Sequence, residues 1–242
     1  MAVQFSEKEI RAVKAHFPKL ELVQPTTWEG DLDLFAIHNG LEIKDLYKIS
    51  ITVSGEYPNE MPLLREIGGR TQEIANKCGL MDLRTLHHNP ENGTACLCVK
   101  QEEVQRFPPG SDLVKFVDEL VVPYLYGLSS YEERREWPWK EYDHGGLGLF
   151  TYEGEKLASH TRETIMTIMR CIFLEQKNWT KYREQLRQPK GHRPCLCGSR
   201  VPLYACHKNA WAGVQHLHQC IAQLGMTSMS LILEVEGDRS KK

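Results

Sequence analysis

The chain has 242 residues, 41% hydrophobic and 26% charged, proportions expected of a protein with an ordinary packed core rather than of a disordered or membrane-embedded one. Its 30 basic and 32 acidic residues nearly cancel, so no global field draws it onto nucleic acid or an anionic membrane, and neither is expected as a partner. No apolar run approaches bilayer length and Met1 to Ser6 lacks the regions of a signal peptide, so a cytoplasmic location is expected. There the eight cysteines should stay reduced unless they bind metal or do chemistry.

From Ser6, the residues Ile10, Val13, Phe17 and Leu20 recur at helical spacing, with Glu9 three residues after a Ser cap. Between Leu20 and Ser54 the pattern becomes strand-like, including Leu32 to Ile37 and the alternating Tyr47, Ile49, Ile51 and Val53, which predicts an antiparallel meander. Tyr57, Pro58 and Pro62 close it with a rigid loop. The segment Leu80 to Val99 is polar and irregular, and Ser111 to Leu128 returns to helical spacing. Glu155 to Gln188 predicts a long helical stretch joining two units. Beyond Pro189 the Pro, Gly and Cys density rises through Cys206, and a last amphipathic helix is expected from Asn209 to Leu224.

Two cysteine groups stand out: Cys96 with Cys98, and Cys195, Cys197 and Cys206. A group-transfer enzyme that holds an acyl group as a thioester needs a thiolate, because sulfur attacks an activated carbonyl well and leaves readily when an amine attacks. Cys96, placed after the Asn92-Gly93 turn, is the candidate; its plain alternative is a buried structural thiol. Asn89 is placed to hold the tetrahedral oxyanion or brace its loop, and His87 or His88 to brace that loop or act as a base. On an extended chain Cys98 points to the same side as Cys96, so it is a second acyl acceptor, a redox guard, a zinc ligand with His87 or His88, or a buried neighbour.

The order of these features resembles the ubiquitin-conjugating family over roughly residues 1–152: Trp28 opening the meander, Tyr57-Pro58 with Pro62, and Gly93-Thr94-Ala95-Cys96-Leu97. His87-His88-Asn89-Pro90 departs from the family's His-Pro-Asn order, with Asn89 one residue closer to the cysteine. Trp137-Pro138-Trp139 and Asp143-His144-Gly145-Gly146 look like signatures of prokaryotic relatives, which makes His144 a second candidate for proton transfer. Trp137 and Trp139 also fit simple core or interface anchors. The resemblance implies a conjugating enzyme of antiphage defence that carries a protein C-terminus on Cys96. The implied partner and substrate is a cGAS-like nucleotidyltransferase; the alternatives are a stand-alone ubiquitin-like modifier as cargo, or a non-catalytic regulatory adaptor of a nucleotide synthase. No phosphate-binding loop is present, so either a separate activating enzyme is expected or the chemistry differs.

Cys195-Leu196-Cys197-Gly198-Ser199, followed by Tyr204 and Cys206-His207, is a dense set of soft donors that select zinc in tetrahedral coordination. It resembles the short C-terminal zinc motif of the SecA translocase. A structural Zn2+ held by Cys195, Cys197, Cys206 and His207 is expected, with His192, His216 and His218 left over. The expected architecture is thus α+β: a meander domain flanked by helices at 1–152, a linking helix at 153–190, and a small helical zinc module at 191–242.

Overall fold

The computed structural model of the protein describes residues 5–89, 91–143, 145–174 and 178–238. The fold is α+β and divides into two compact units, Met1–Lys140 and Glu141–Lys242.

In the first unit, α1 (Glu7–His16) starts at Ser6, whose hydroxyl accepts from Glu9 N at 3.2 Å, the cap its sequence predicts. Four strands follow, β1 (Leu20–Gln24), β2 (Thr27–His38), β3 (Leu41–Thr52) and β4 (Leu63–Glu66), paired antiparallel in chain order as a meander. Alternation along β3 buries Ile43, Tyr47, Ile49 and Ile51 and exposes Lys44, Leu46 and Lys48, so one face of the sheet makes the core. Against it packs a helical run in three continuous stretches, α4 (Leu113–Phe116) and a π-turn (Val117–Val121) leading into α5 (Val122–Arg134), preceded by the short α3 (Glu103–Arg106).

Helix α2 (Arg70–Cys78), which the spacing does not announce, packs by charge as well as by Ile74 and Ala75. Arg70 Nη2 meets Asp45 Oδ2 of β3 at 2.9 Å and Glu132 Oε2 of α5 at 2.5 Å, and Lys77 meets Glu132 at 2.9 Å. Burial pushes the Asp45 carboxyl up, but hydrogen bonds from Arg70, Leu46 N and Ser129 outweigh it, so it titrates below the usual range. At the other end, Glu9 accepts from Tyr57 OH and from Leu113 N, tying α1 to the proline loop and to the start of α4.

The second unit comprises α6 (Gly145–Lys156), α7 (Arg162–Leu174), α8 (Trp179–Arg187), the single turn α9 (Leu203–Cys206), α10 (Lys208–Gln223) and α11 (Ser228–Asp238). Its core is built from Phe150, Ile165, Ile168, Met169, Ile172, Tyr182, Leu186, Val214, Leu217, Leu231 and Ile232. Two expectations are corrected here. The boundary lies at 140/141 rather than at 152, and residues 153–190 form no single linking helix: they hold the end of α6, then α7 and α8, whose apolar sides fill this core. The reason is a backbone contact. A Cβ on Gly154 would stand 1.8 Å from Asn209 O, and one on Gly213 1.8 Å from Phe150 O, so α6 and α10 lie closer than any side-chained pair allows. That contact commits α6 to the helical unit. Among the described residues no helix is long and apolar enough to cross a membrane.

Candidate functional site

The described residues between Leu83 and Cys98 are irregular in path and held by hydrogen bonds at several points. A 3-10 turn (Leu83–Leu86) ends at His87, held at φ 49°. The chain then doubles back: Asn89 N donates to Thr94 O at 2.8 Å, Gly93 N to Asn89 O at 2.8 Å and Cys96 N to His87 O at 2.7 Å. Ala95 N donates to Leu64 O at 2.9 Å, docking this hairpin on β4. Ala95 and Leu97 pack against the core, while Cys96 between them is exposed.

Side chains tighten the turn. Asn89 Oδ1 accepts from Glu91 N at 3.1 Å, and Asn92 Oδ1 accepts from Thr94 N at 3.0 Å and from Thr94 Oγ1 at 2.7 Å. Asn89 therefore braces its own loop through its side-chain carbonyl. Behind the turn, Trp137 is buried, donates from Nε1 to Thr85 O at 3.0 Å and meets the His87 ring edge-on at 4.7 Å. Tyr124 stacks on Trp137 and donates to Leu86 O at 3.2 Å. A Cβ on Gly127 would lie 1.9 Å from Trp137 Cζ3, so this glycine makes the slot the indole fills. Trp137 is thus an anchor; Trp139 remains 40% exposed.

Solvent reaches Cys96, yet the protein around its sulfur removes enough water to push the thiol pKa up, and the charge of Glu103 on α3 adds to this. The thiol's weak contact is to Cys98 O, at 3.9 Å. Cys98 is half-buried and pushed up to about 12 by burial, then by Glu103 and Cys96. Burial holds His87 down to about 4 and lowers His88 against the pull of Glu66, so both imidazoles are neutral near pH 7. His88 Nδ1 is buried with no hydrogen-bond partner among the described residues. His87, His88, Cys96 and Cys98 are not among the groups of described residues that gather metal-ligand atoms. His144 lies outside the described residues. Glu103, Tyr124 and Gly127 were not anticipated: each acts across a turn or between helices, and no local spacing announces them.

A different cluster forms in the second unit. Pro194 and Pro202 bridge, and Cys195 N donates to Val201 O at 2.9 Å, folding the Cys195-to-Cys206 loop back on itself. The Sγ atoms of Cys195, Cys197 and Cys206 and a nitrogen of His207 all lie within 4.8 Å of one another and can hold a metal ion. Cys197 and Cys206 sulfurs are 3.8 Å apart, the spacing of about 3.8 Å that bonds of about 2.3 Å impose on a tetrahedral ion. Cys195 Sγ is 3.0 Å from His207 Nδ1, and His207 Nε2 faces Asp143 Oδ1 at 3.4 Å. Asp143, read from sequence as part of a His-Gly signature, faces the second nitrogen of this imidazole, a position from which it can orient the ring. Desolvation pushes the Cys197 thiol up, but hydrogen bonds from Ser199 and with Cys195 and Cys206 outweigh it and leave it at about 7. In comparisons with known proteins, no family model, curated protein or solved structure matches this chain.

Proposed function

We propose that the first unit is a ubiquitin-conjugating-like acyltransferase with Cys96 as its nucleophile, and that the Cys195/Cys197/Cys206/His207 cluster is a structural zinc clip. The observation that carries the first reading is an exposed free thiol on a hydrogen-bonded turn, docked on the sheet edge and outside any metal cluster of the described residues. A carrier cysteine needs that combination: access for two macromolecules in turn, and a backbone that does not move as charge develops.

In the reaction, Cys96 sulfur attacks the activated C-terminal carbonyl of the carried protein. The S–C bond forms, the activating group departs, and the thiol proton leaves with it or passes to a base. An amine then attacks the thioester, the C–N bond forms, the C–S bond breaks, and the sulfur takes back a proton. With its pKa raised, the resting thiol is largely protonated at neutral pH, so deprotonation belongs to the reacting complex. His88, neutral and with its Nδ1 unpartnered among the described residues, is the candidate base for the incoming amine; Asn89 serves by holding the turn. Cys98 is a less reactive neighbour whose carbonyl receives the Cys96 thiol. The cargo is a protein C-terminus, that of a cGAS-like nucleotidyltransferase in an antiphage defence setting, delivered by a separate activating enzyme. The clip supplies folding free energy where the loop is too short for a core of its own.

The test is intact mass after incubation with a cGAS-like nucleotidyltransferase, an activating enzyme and ATP. The wild type should gain a thiol-labile adduct, Cys96→Ser a thiol-stable ester, and Cys96→Ala none. An adduct that persists on Cys96→Ala overturns the assignment.

A further inference from the structure

The second unit holds another convergence of ligand-type side chains. Glu153 on α6, His160 in the loop before α7, and His216 on α10 place one carboxylate oxygen and one nitrogen of each imidazole within 4.8 Å of one another. Glu153 is 0% exposed and His160 7%, while His216 sits at the half-buried edge. We propose that these three residues form a second metal site, for a divalent ion of the zinc class, with Cys220 as its fourth donor.

Four observations carry this. The glycine contact between α6 and α10 places Glu153 next to Gly154 and His216 one turn beyond Gly213, so the meeting of the two side chains follows from how closely the backbones cross. The fully buried Glu153 carboxyl lies 2.5 Å from His160 Nε2 through its Oε2, so one imidazole already meets it. The His216 imidazole, its ring centre 5.7 Å from that of His160, adds a second nitrogen and completes a two-histidine, one-carboxylate donor set, which is a zinc ligand set. Finally, Cys220 lies one helical turn from His216 with its sulfur 3.6 Å from His216 Nε2. Its sulfur stands outside the three-residue group and joins it by a turn of the side chain.

Charge closes the argument. One carboxylate and one thiolate neutralise a divalent ion, and two neutral imidazoles complete the shell, so a buried site carries no net charge. Metal entry requires the Glu153–His160 contact to open by about 1 Å from hydrogen-bonding to coordination spacing, and Cys220, buried beside His216, to turn inward. Ala158 O, which accepts from His216 Nε2 at 2.7 Å, holds the ring at the site's edge until then. The ion pins α6, the α6–α7 loop and α10 together, at a place distinct from the Cys195/Cys197/Cys206/His207 cluster and independent of Cys96.

The experiment is metal stoichiometry on the full chain. Purified protein is stripped, titrated with Co2+ and read by absorbance, and metal content after zinc loading is measured by elemental analysis. The wild type should take two equivalents. His216→Ala should take one and keep the intense thiolate-to-cobalt band of the three-cysteine cluster, with its helical circular dichroism unchanged. Glu153→Gln, which preserves shape and removes the charge, should weaken the second equivalent by at least about 100-fold and covers the case in which His216→Ala does not fold. A single equivalent that carries the three-cysteine band, or two equivalents undiminished in the variants, overturns the proposal, whereas a single equivalent lost in His216→Ala upholds it and overturns the Cys195/Cys197/Cys206/His207 clip.

Discussion

Gly127→Ala offers the sharpest test of how the Cys96 turn is supported. Inside an exposed helix this change stabilises by up to about 1 kcal/mol, because alanine restricts the unfolded chain. Here the new Cβ would stand 1.9 Å from Trp137 Cζ3 and 2.5 Å from Cε3, against a normal carbon–carbon contact of about 3.5 Å or more. The indole must move by more than an ångström. Overpacking of this kind costs about 2 kcal/mol. Displacement also strains the Trp137 hydrogen bond to Thr85 O, about 1 kcal/mol, and the ring contacts with Tyr124 and His87, about another 1 kcal/mol. The clash therefore outweighs the propensity gain by about 3 kcal/mol, a fall in melting temperature of roughly 10 °C for a unit of this size. The assay is thermal unfolding followed by tryptophan fluorescence, with iodoacetamide labelling of Cys96 in parallel. Labelling should quicken as the 85–88 turn loosens. An unchanged or higher melting temperature in Gly127→Ala would mean that Trp137 does not depend on this slot, and the reasoning fails.

Other outcomes follow from the same structure. Cys96 alkylation should rise with pH along a curve displaced above that of a free cysteine, and Glu103→Gln should speed it several-fold at pH 8 by removing the negative neighbour; no change would remove Glu103 from the site. Arg70→Met leaves the half-buried Asp45 carboxylate without its cation, while Lys77 still meets Glu132, and should cost about 3 kcal/mol in chemical denaturation at pH 7. Both carboxyls are held below their unfolded values, so their stabilisation is present above the unfolded pKa and lost as pH falls through the folded one; the gap between wild type and variant should narrow below about pH 4. A strong chelator should lower the melting temperature of the second unit. An ion present at a thousandfold its dissociation constant contributes about 4 kcal/mol, and Cys197→Ser should remove the three-cysteine cluster's share of that shift and leave the share of the Glu153/His160/His216 site, whereas indifference to the chelator would exclude a structural ion.

Local signals were sufficient for much of the architecture. The Ser6 cap with Glu9, the alternation of Tyr47, Ile49 and Ile51, and the apolar spacing of Leu113 to Leu128 each report a short-range property of the chain, and helix, meander and helix appear where those signals stand. The Cys195/Cys197/Cys206/His207 cluster was legible for the same reason: its donors lie within thirteen consecutive positions, so a single loop brings them together. Trp137 could be read as an anchor from its size, though not what it anchors.

Contacts between distant elements were not legible. The sequence carries Gly154 and Gly213 as two unremarked glycines, yet their backbone approach decides that α6 belongs to the helical unit and brings Glu153 and His160 to His216. His216 looked like a spare histidine because Glu153 and His160 are more than fifty residues away. Asp143 looked like part of a local signature until the fold turned it toward His207. Periodicity and short spacings record what a residue does within its own turn or strand. Burial, charge pairing and the elevated Cys96 thiol arise only when separate segments exclude water together, and that is a property of the packed tertiary structure.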